Sequence, residues 1–203
     1  MSKPNKKTAH TIGFMIVFSV VVIAVYYYIS TRTTPIFPKS ITDMTEVEAL
    51  VTKDLEADYP ATPREVLKLY NRIMKNFYNS KLKEDEISQL AQQMFYLFDE
   101  ELKQSNTYEE YLLDLKVEIT DYKNDGKTIM NDTVESSEEV FYWEDQGAEY
   151  ASLSSSYTMK EGGDYTKVME DFMLRKDKEG NWKILGWKLS DNSEVNTTVN
   201  ITE

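Results

Sequence analysis

The residue types that most often do chemistry are scarce in this chain of 203 residues, and their positions narrow what it can do. There is one histidine, His10, and no cysteine. His10 precedes a long apolar run, so whatever folds after that run cannot assemble a Ser-His-Asp or Cys-His site, nor a zinc site of the usual ligand types. Thiol chemistry and a disulfide framework are absent, and the fold must be held by its core. None of the seven glycines falls in a GxGxxG or GxxxxGK[ST] spacing, so no phosphate-cradling loop is present. Oxygen ligands remain. "DYKNDGKTIMND", Asp121 to Asp132, has glycine in the sixth place of a calcium loop. It also has Lys123 where an oxygen ligand is required, Ile129 in the ninth place and Asp132 in the last, so a turn from helix to strand accounts for it better. The acidic clusters "EDE", "FDEEL" and "SSEEV" read as solvated faces. No catalytic, cofactor-binding or metal-binding residue follows from spacing, and no cofactor is expected.

Placement comes from the N-terminus. Ile12 to Ile29 read IGFMIVFSVVVIAVYYYI, eighteen residues without a charge, or roughly 27 Å of helix, enough to cross a bilayer. Lys3, Lys6 and Lys7 could also head a signal peptide, but the run exceeds a usual h-region and Tyr26, Tyr27 and Tyr28 stand where cleavage needs small residues. The tyrosines suit the interfacial collar of an uncleaved anchor. Three lysines before the span against Arg32 behind it put the N-terminus in the cytoplasm and the domain outside, at the cell membrane on a single pass. All 35 acidic residues lie after the span, against the 20 basic ones left once the three lysines are set aside, a formal charge of −15. Such a surface disfavours nucleic acid as a partner. The expected organisation is a cytoplasmic tip at 1–11, the transmembrane helix at 12–29, a Pro-containing linker at 30–42, a domain at 43–189 and a flexible polar tail at 190–203.

Within the domain the apolar period is near 3.6 at first. Met44, Val47, Leu50, Val51 and Leu55 predict a short helix that ends at "DYP". Thr62, Pro63 and Glu65 form a capping box that opens a second helix, with Val66, Leu69, Tyr70, Ile73, Met74 and Phe77 on its apolar face. A third is expected from about Glu84 to Leu102, and a fourth from Thr107 to about Tyr122. After "NDGK" the period becomes 2. Ala151, Leu153, Tyr157 and Met159 share one face of a strand, and Ser152, Ser154, Ser156 and Thr158 the other. "EGGD" and "DKEG" turn this strand into Tyr165 to Lys176 and then Trp182 to Leu189, with weaker strands near Thr128 to Val134 and Glu139 to Trp143. Helices followed by a meander predict an α+β domain, with helices packed on one face of a curved antiparallel sheet.

This order, with strands ending in "FMLRKDKEGNWKILGW", resembles the NTF2-like superfamily of α+β cones over about Ala61 to Leu189. "DYPATPREVLKLYNRI" and "LFDEEL", taken with the anchor, look more closely like a family of single-pass membrane proteins from Firmicutes that supplies no site residues to carry over. The superfamily resemblance implies a cone whose mouth can hold an Asp or Tyr, and Tyr70, Tyr157 and Asp99 are the candidates here. Core tyrosines and an exposed aspartate are the plainer alternative.

Strict alternation in the last hairpin puts Trp182, Ile184 and Gly186 on one face and Leu185, Trp187 and Leu189 on the other. The preceding strand puts Met169 and Met173 opposite Val168, Phe172 and Leu174. Both faces carry apolar residues, so something must cover the second one: the helix around Met44 to Leu55, or a partner contacting Met169, Met173, Leu185 and Trp187. The resulting expectation is a membrane-anchored, non-enzymatic module that binds a protein or cell-envelope component. The alternative is a cone that binds a small ligand or acts weakly on one, and an open apolar cavity with converging Tyr or Asp residues would favour it.

Overall fold

The computed structural model describes residues 44–191; the expected span at Ile12 to Ile29, the linker and most of the polar tail lie outside the described residues. Among the described residues, no helix is long and apolar enough to cross a membrane. Five helices precede five strands: α1 Glu46–Val51, α2 Pro63–Asn79, α3 Glu84–Tyr96, α4 Glu100–Ser105 and α5 Tyr108–Asn124, then β1 Lys127–Val134, β2 Phe141–Asp145, β3 Ala148–Glu161, β4 Asp164–Lys176 and β5 Trp182–Leu189. The class is mixed α+β with a curved antiparallel sheet.

Helix starts follow their local chemistry. Thr45, Thr62 and Thr107 each accept a hydrogen bond from the backbone N–H three residues on, and Glu48, Glu65 and Glu110 return one to the cap. These boxes satisfy N–H groups that the first turn otherwise leaves unpaired. The single helix expected from Glu84 to Leu102 is instead two. Helix α3 stops at Tyr96, the Leu97 carbonyl accepts from Ile184 N at 2.8 Å, and Asp99 N donates to the Ile184 carbonyl at 2.8 Å. Phe98 thus bridges in parallel to the free edge of β5, and Asp99 caps α4 by accepting from Glu101 N. Two backbone bonds to a strand edge and a new cap outweigh two more turns of continuous helix.

The sheet order is β1-β3-β4-β5, with β2 also paired to β3. Strand β3 is long enough to carry both on one edge: β2 opposite 148–152, and β1 opposite 155–161. On its inner face Ala151, Leu153 and Tyr157 are buried, and they stand beside Leu174, Phe172 and Val168 of β4. Helix α2 lies on that face with Val66, Leu67, Ile73 and Phe77 fully buried, and α3 adds Leu90, Ala91 and Met94. At about 25 cal/mol per Å² of apolar surface, each such side chain stabilises the fold by roughly 1.5–3 kcal/mol before entropy is charged.

The strict alternation expected for β5 is broken by a bulge. Leu174 pairs with Ile184, but Met173 pairs with Gly186, so Leu185 is the extra residue. Phe172 therefore faces Trp187, and Trp187 joins Ile184 on the inner face rather than Leu185 on the outer one. Helix α1, the internal candidate for covering the outer face, packs instead on α3, where Leu50 is buried and Gln93 Nε2 donates to the Lys53 carbonyl at 2.8 Å. Among the described residues, only the Arg175 and Lys183 end of the outer face is covered, by Asp99, Tyr59 and Tyr96; further along, Met173 is 42% exposed. Beside α1, Lys183 is clamped between the rings of Tyr59 and Tyr96, 4.1 Å from each centroid, and donates to the Tyr96 carbonyl. The "DYKNDGKTIMND" stretch is the end of α5, a turn in which Gly126 adopts φ +65°, and β1.

Candidate functional site

Between α2, α5 and the inner face of the sheet lies an open-mouthed cavity of about 290 Å³. Each wall is one face of one element. Helix α2 contributes Tyr70, Met74 and Tyr78 at intervals of four residues. Helix α5 contributes Tyr111, Leu115, Glu118 and Tyr122, spaced four, three and four. From the sheet come Tyr157 and Met159 of β3, Val168 and Glu170 of β4, and Trp187 of β5; Met94 and Phe98 close the far side. The bulge matters here. Without it Trp187 would point away from the cavity.

The structure brings together Tyr70 and Tyr157, both buried and both on the lining. Tyr70 packs edge-on against Phe172 at 5.3 Å and lies 5.9 Å from the Trp187 ring. The Tyr157 hydroxyl donates to Asn71 Oδ1 at 2.8 Å, and Asn71 Nδ2 donates to Ser155 Oγ at 2.8 Å and towards Asp132 at 3.3 Å. Asn71, fully buried in the middle of α2, is the hub of this network and fixes the Tyr157 ring. Asp99 is elsewhere. It is 4% exposed, caps α4, and holds the Arg175 guanidinium through both carboxylate oxygens, so its role is to tie α4 to β4.

Of the four residues expected on a contact face, Trp187 lines the cavity, while Met169, Met173 and Leu185 belong to the outer side of the sheet. Phe141 and Trp143 of β2 and Tyr150 of β3 extend that outer surface as a row of stacked rings, with centroids 5.6 and 5.3 Å apart. Phe141 is 66% exposed and Met173 42%.

Two carboxylates complete the cavity, and neither was singled out by sequence reasoning. Glu118, at the rim, accepts from the Tyr78 hydroxyl at 2.5 Å. Glu170 stands on the inner face of β4, and burial, reinforced by the Glu118 charge, pushes its carboxyl up to about 7, with Tyr157 pulling the other way. Among the described residues neither carboxylate has an ion-pair partner, and the lining includes no lysine or arginine. Burial raises the hydroxyl pKa of Tyr70, Tyr78, Tyr111 and Tyr157, so each presents a neutral O–H rather than a phenolate. Among the described residues the buried Tyr111 hydroxyl has no hydrogen-bond partner. Both carboxylates carried a readable signal. Glu118 interrupts the stripe formed by Tyr111, Leu115 and Tyr122, and Glu170 interrupts the alternation Val168, Phe172, Leu174.

A cavity with apolar walls, neutral donors and two unpaired carboxylates can hold and orient an organic molecule. A family model described as a domain of unknown function (DUF6715) matches residues 1–187. No curated protein matches the chain.

Proposed function

The chain belongs to the DUF6715 family, and we propose that it is a non-enzymatic protein that binds a small organic ligand in the cavity between α2, α5 and the sheet. The observation that carries this reading is the cavity itself: about 290 Å³, apolar for most of its wall, with the tyrosines, Glu118 and Glu170 turned into it. We read the helices and curved sheet as an NTF2-like cone and the cavity as its mouth. The hydroxyls of Tyr70 and Tyr157 are neutral and can orient a ligand; neither is a ready base. With no histidine or cysteine after the apolar run, binding is favoured over turnover. In this reading Ile12 to Ile29 anchor the protein in the cell membrane, N-terminus inside, and the domain meets its ligand outside the cytoplasm.

The test uses the full chain in maltoside micelles and three phenylpropyl probes that differ only in an ammonium, hydroxyl or carboxylate head. Val168→Trp fills the cavity from β4. At least one probe should raise the melting temperature of the wild-type chain and none that of the variant. Equal shifts in both proteins, or none in either, would remove the ligand-binding reading.

A second reading, contact with a protein or cell-envelope partner, is favoured by the exposed ring row and Met173 on the outer face. It is compatible with the first, because the two surfaces lie on opposite faces of the sheet.

A further inference from the structure

Resting on the reading of the cavity as a ligand site, we propose that its ligand is an organic ammonium cation with an apolar body. The lining contains two carboxylates and no basic side chain. In a folded protein a carboxylate on an apolar wall normally carries its own lysine or arginine, as Asp99 does with Arg175. Among the described residues Glu118 accepts from the Tyr78 hydroxyl, Glu170 lies beside the Tyr157 hydroxyl, and neither has an ion-pair partner. The missing counter-charge is the property a cationic ligand supplies.

The rest of the wall suits the same guest. Rings from Tyr70, Tyr78, Phe98, Tyr122 and Trp187 surround the space, and aromatic faces attract a cation while remaining compatible with its alkyl or aryl body. Tyr78 and Tyr122 are already stacked, 4.2 Å apart, so one side of the mouth is a fixed aromatic plate; Lys127 Nζ lies 5.6 Å from the Tyr122 centroid, which leaves the Tyr78 side and the other rings for a guest. Met74, Met94 and Met159 offer a polarisable floor for the apolar part.

Anions are disfavoured twice, by the two carboxylates inside and by an overall formal charge of −12. A neutral alcohol would leave Glu118 without a counter-charge. A metal ion is a poorer match, because the wall is mostly aromatic and thioether and the only carboxylates are those two.

The same three probes separate this inference from the reading it rests on. Titrated calorimetrically into the full chain, 3-phenylpropylammonium should bind at least about tenfold more tightly than 3-phenylpropan-1-ol, and 3-phenylpropanoate should not bind. Glu118→Gln with Glu170→Gln keeps volume and an acceptor for Tyr78, and should cost the ammonium probe about tenfold or more while leaving the alcohol within about twofold. If the alcohol binds as tightly as the ammonium, or the double variant affects both alike, the cation inference is wrong and the pocket stands. If none of the three binds the wild-type chain, both fall.

Discussion

At the scale of single residues, the most informative side chain is Glu170, a carboxylate set in an apolar row of β4. Its folded-state pKa of about 7 lies above the ordinary glutamate value of 4.5, so between those limits the folded protein holds a proton that the unfolded chain has released. The contribution to stability is therefore full below about 4.5 and is lost as pH rises through about 7. Glu118 and Tyr122 from α5, Tyr157 from β3 and Tyr70 from α2 are titratable groups that face it, and β5 presents Leu189 opposite. Urea midpoints measured from pH 4.5 to 8 should fall more steeply for the wild-type chain than for Glu170→Gln. The variant should gain about 1–2 kcal/mol relative to wild type across that range, once screening at the open mouth is allowed for. Parallel curves would mean that Glu170 is already well solvated. Asn71 makes the complementary point: a buried amide on α2 with partners on β1 and β3 is tolerated because its hydrogen bonds are made.

At the scale of elements, two local irregularities build the site. The bulge at Leu185 turns Trp187 inward, and the break after Tyr96 lets Phe98 join the edge of β5, so the Phe98 and Trp187 rings meet at 5.9 Å. Asp99 holds the second of these in place, as cap of α4 and as bidentate partner of Arg175. Asp99→Ala should destabilise the protein by about 2–3 kcal/mol, combining a lost cap with an ion pair broken on its buried side. Asp99→Asn keeps the cap and should cost about half as much. Equilibrium denaturation of the full chain distinguishes the two, and an Asp99→Ala cost below about 0.5 kcal/mol would show the break to be held by the Ile184 backbone bonds alone.

At the scale of the whole molecule, the two faces of the sheet have separate roles. The inner face is core and cavity; the outer face carries Phe141, Trp143, Tyr150 and Met173 among serines and threonines. Phe141→Ser with Met173→Lys should leave stability within about 0.5 kcal/mol and probe binding in the cavity unchanged, because both side chains are exposed. If the outer face contacts a partner, the same pair should remove a member from the set of proteins cross-linked to the full chain in cells. An identical set for wild type and variant would leave the outer face without a role in association.

The sequence by itself determined the order of helices before strands, the threonine capping box at Thr62, the apolar stripe of α2 and the inward direction of Tyr70 and Tyr157. These depend on neighbours within a few residues, and the periods of helix and strand express them directly. The absence of histidine and cysteine beyond the apolar run is equally a property of the sequence alone. Only the tertiary structure decided that Trp187 faces the cavity, that the helix from Glu84 divides, that α1 sits on α3, and that Glu118 and Glu170 share one space. Each of these turns on a pairing between residues far apart in the chain: a one-residue shift between β4 and β5, a carbonyl offered by a strand edge, a helix laid against another. A local pattern cannot register a bulge, because an extra residue in one strand is defined only by the strand beside it.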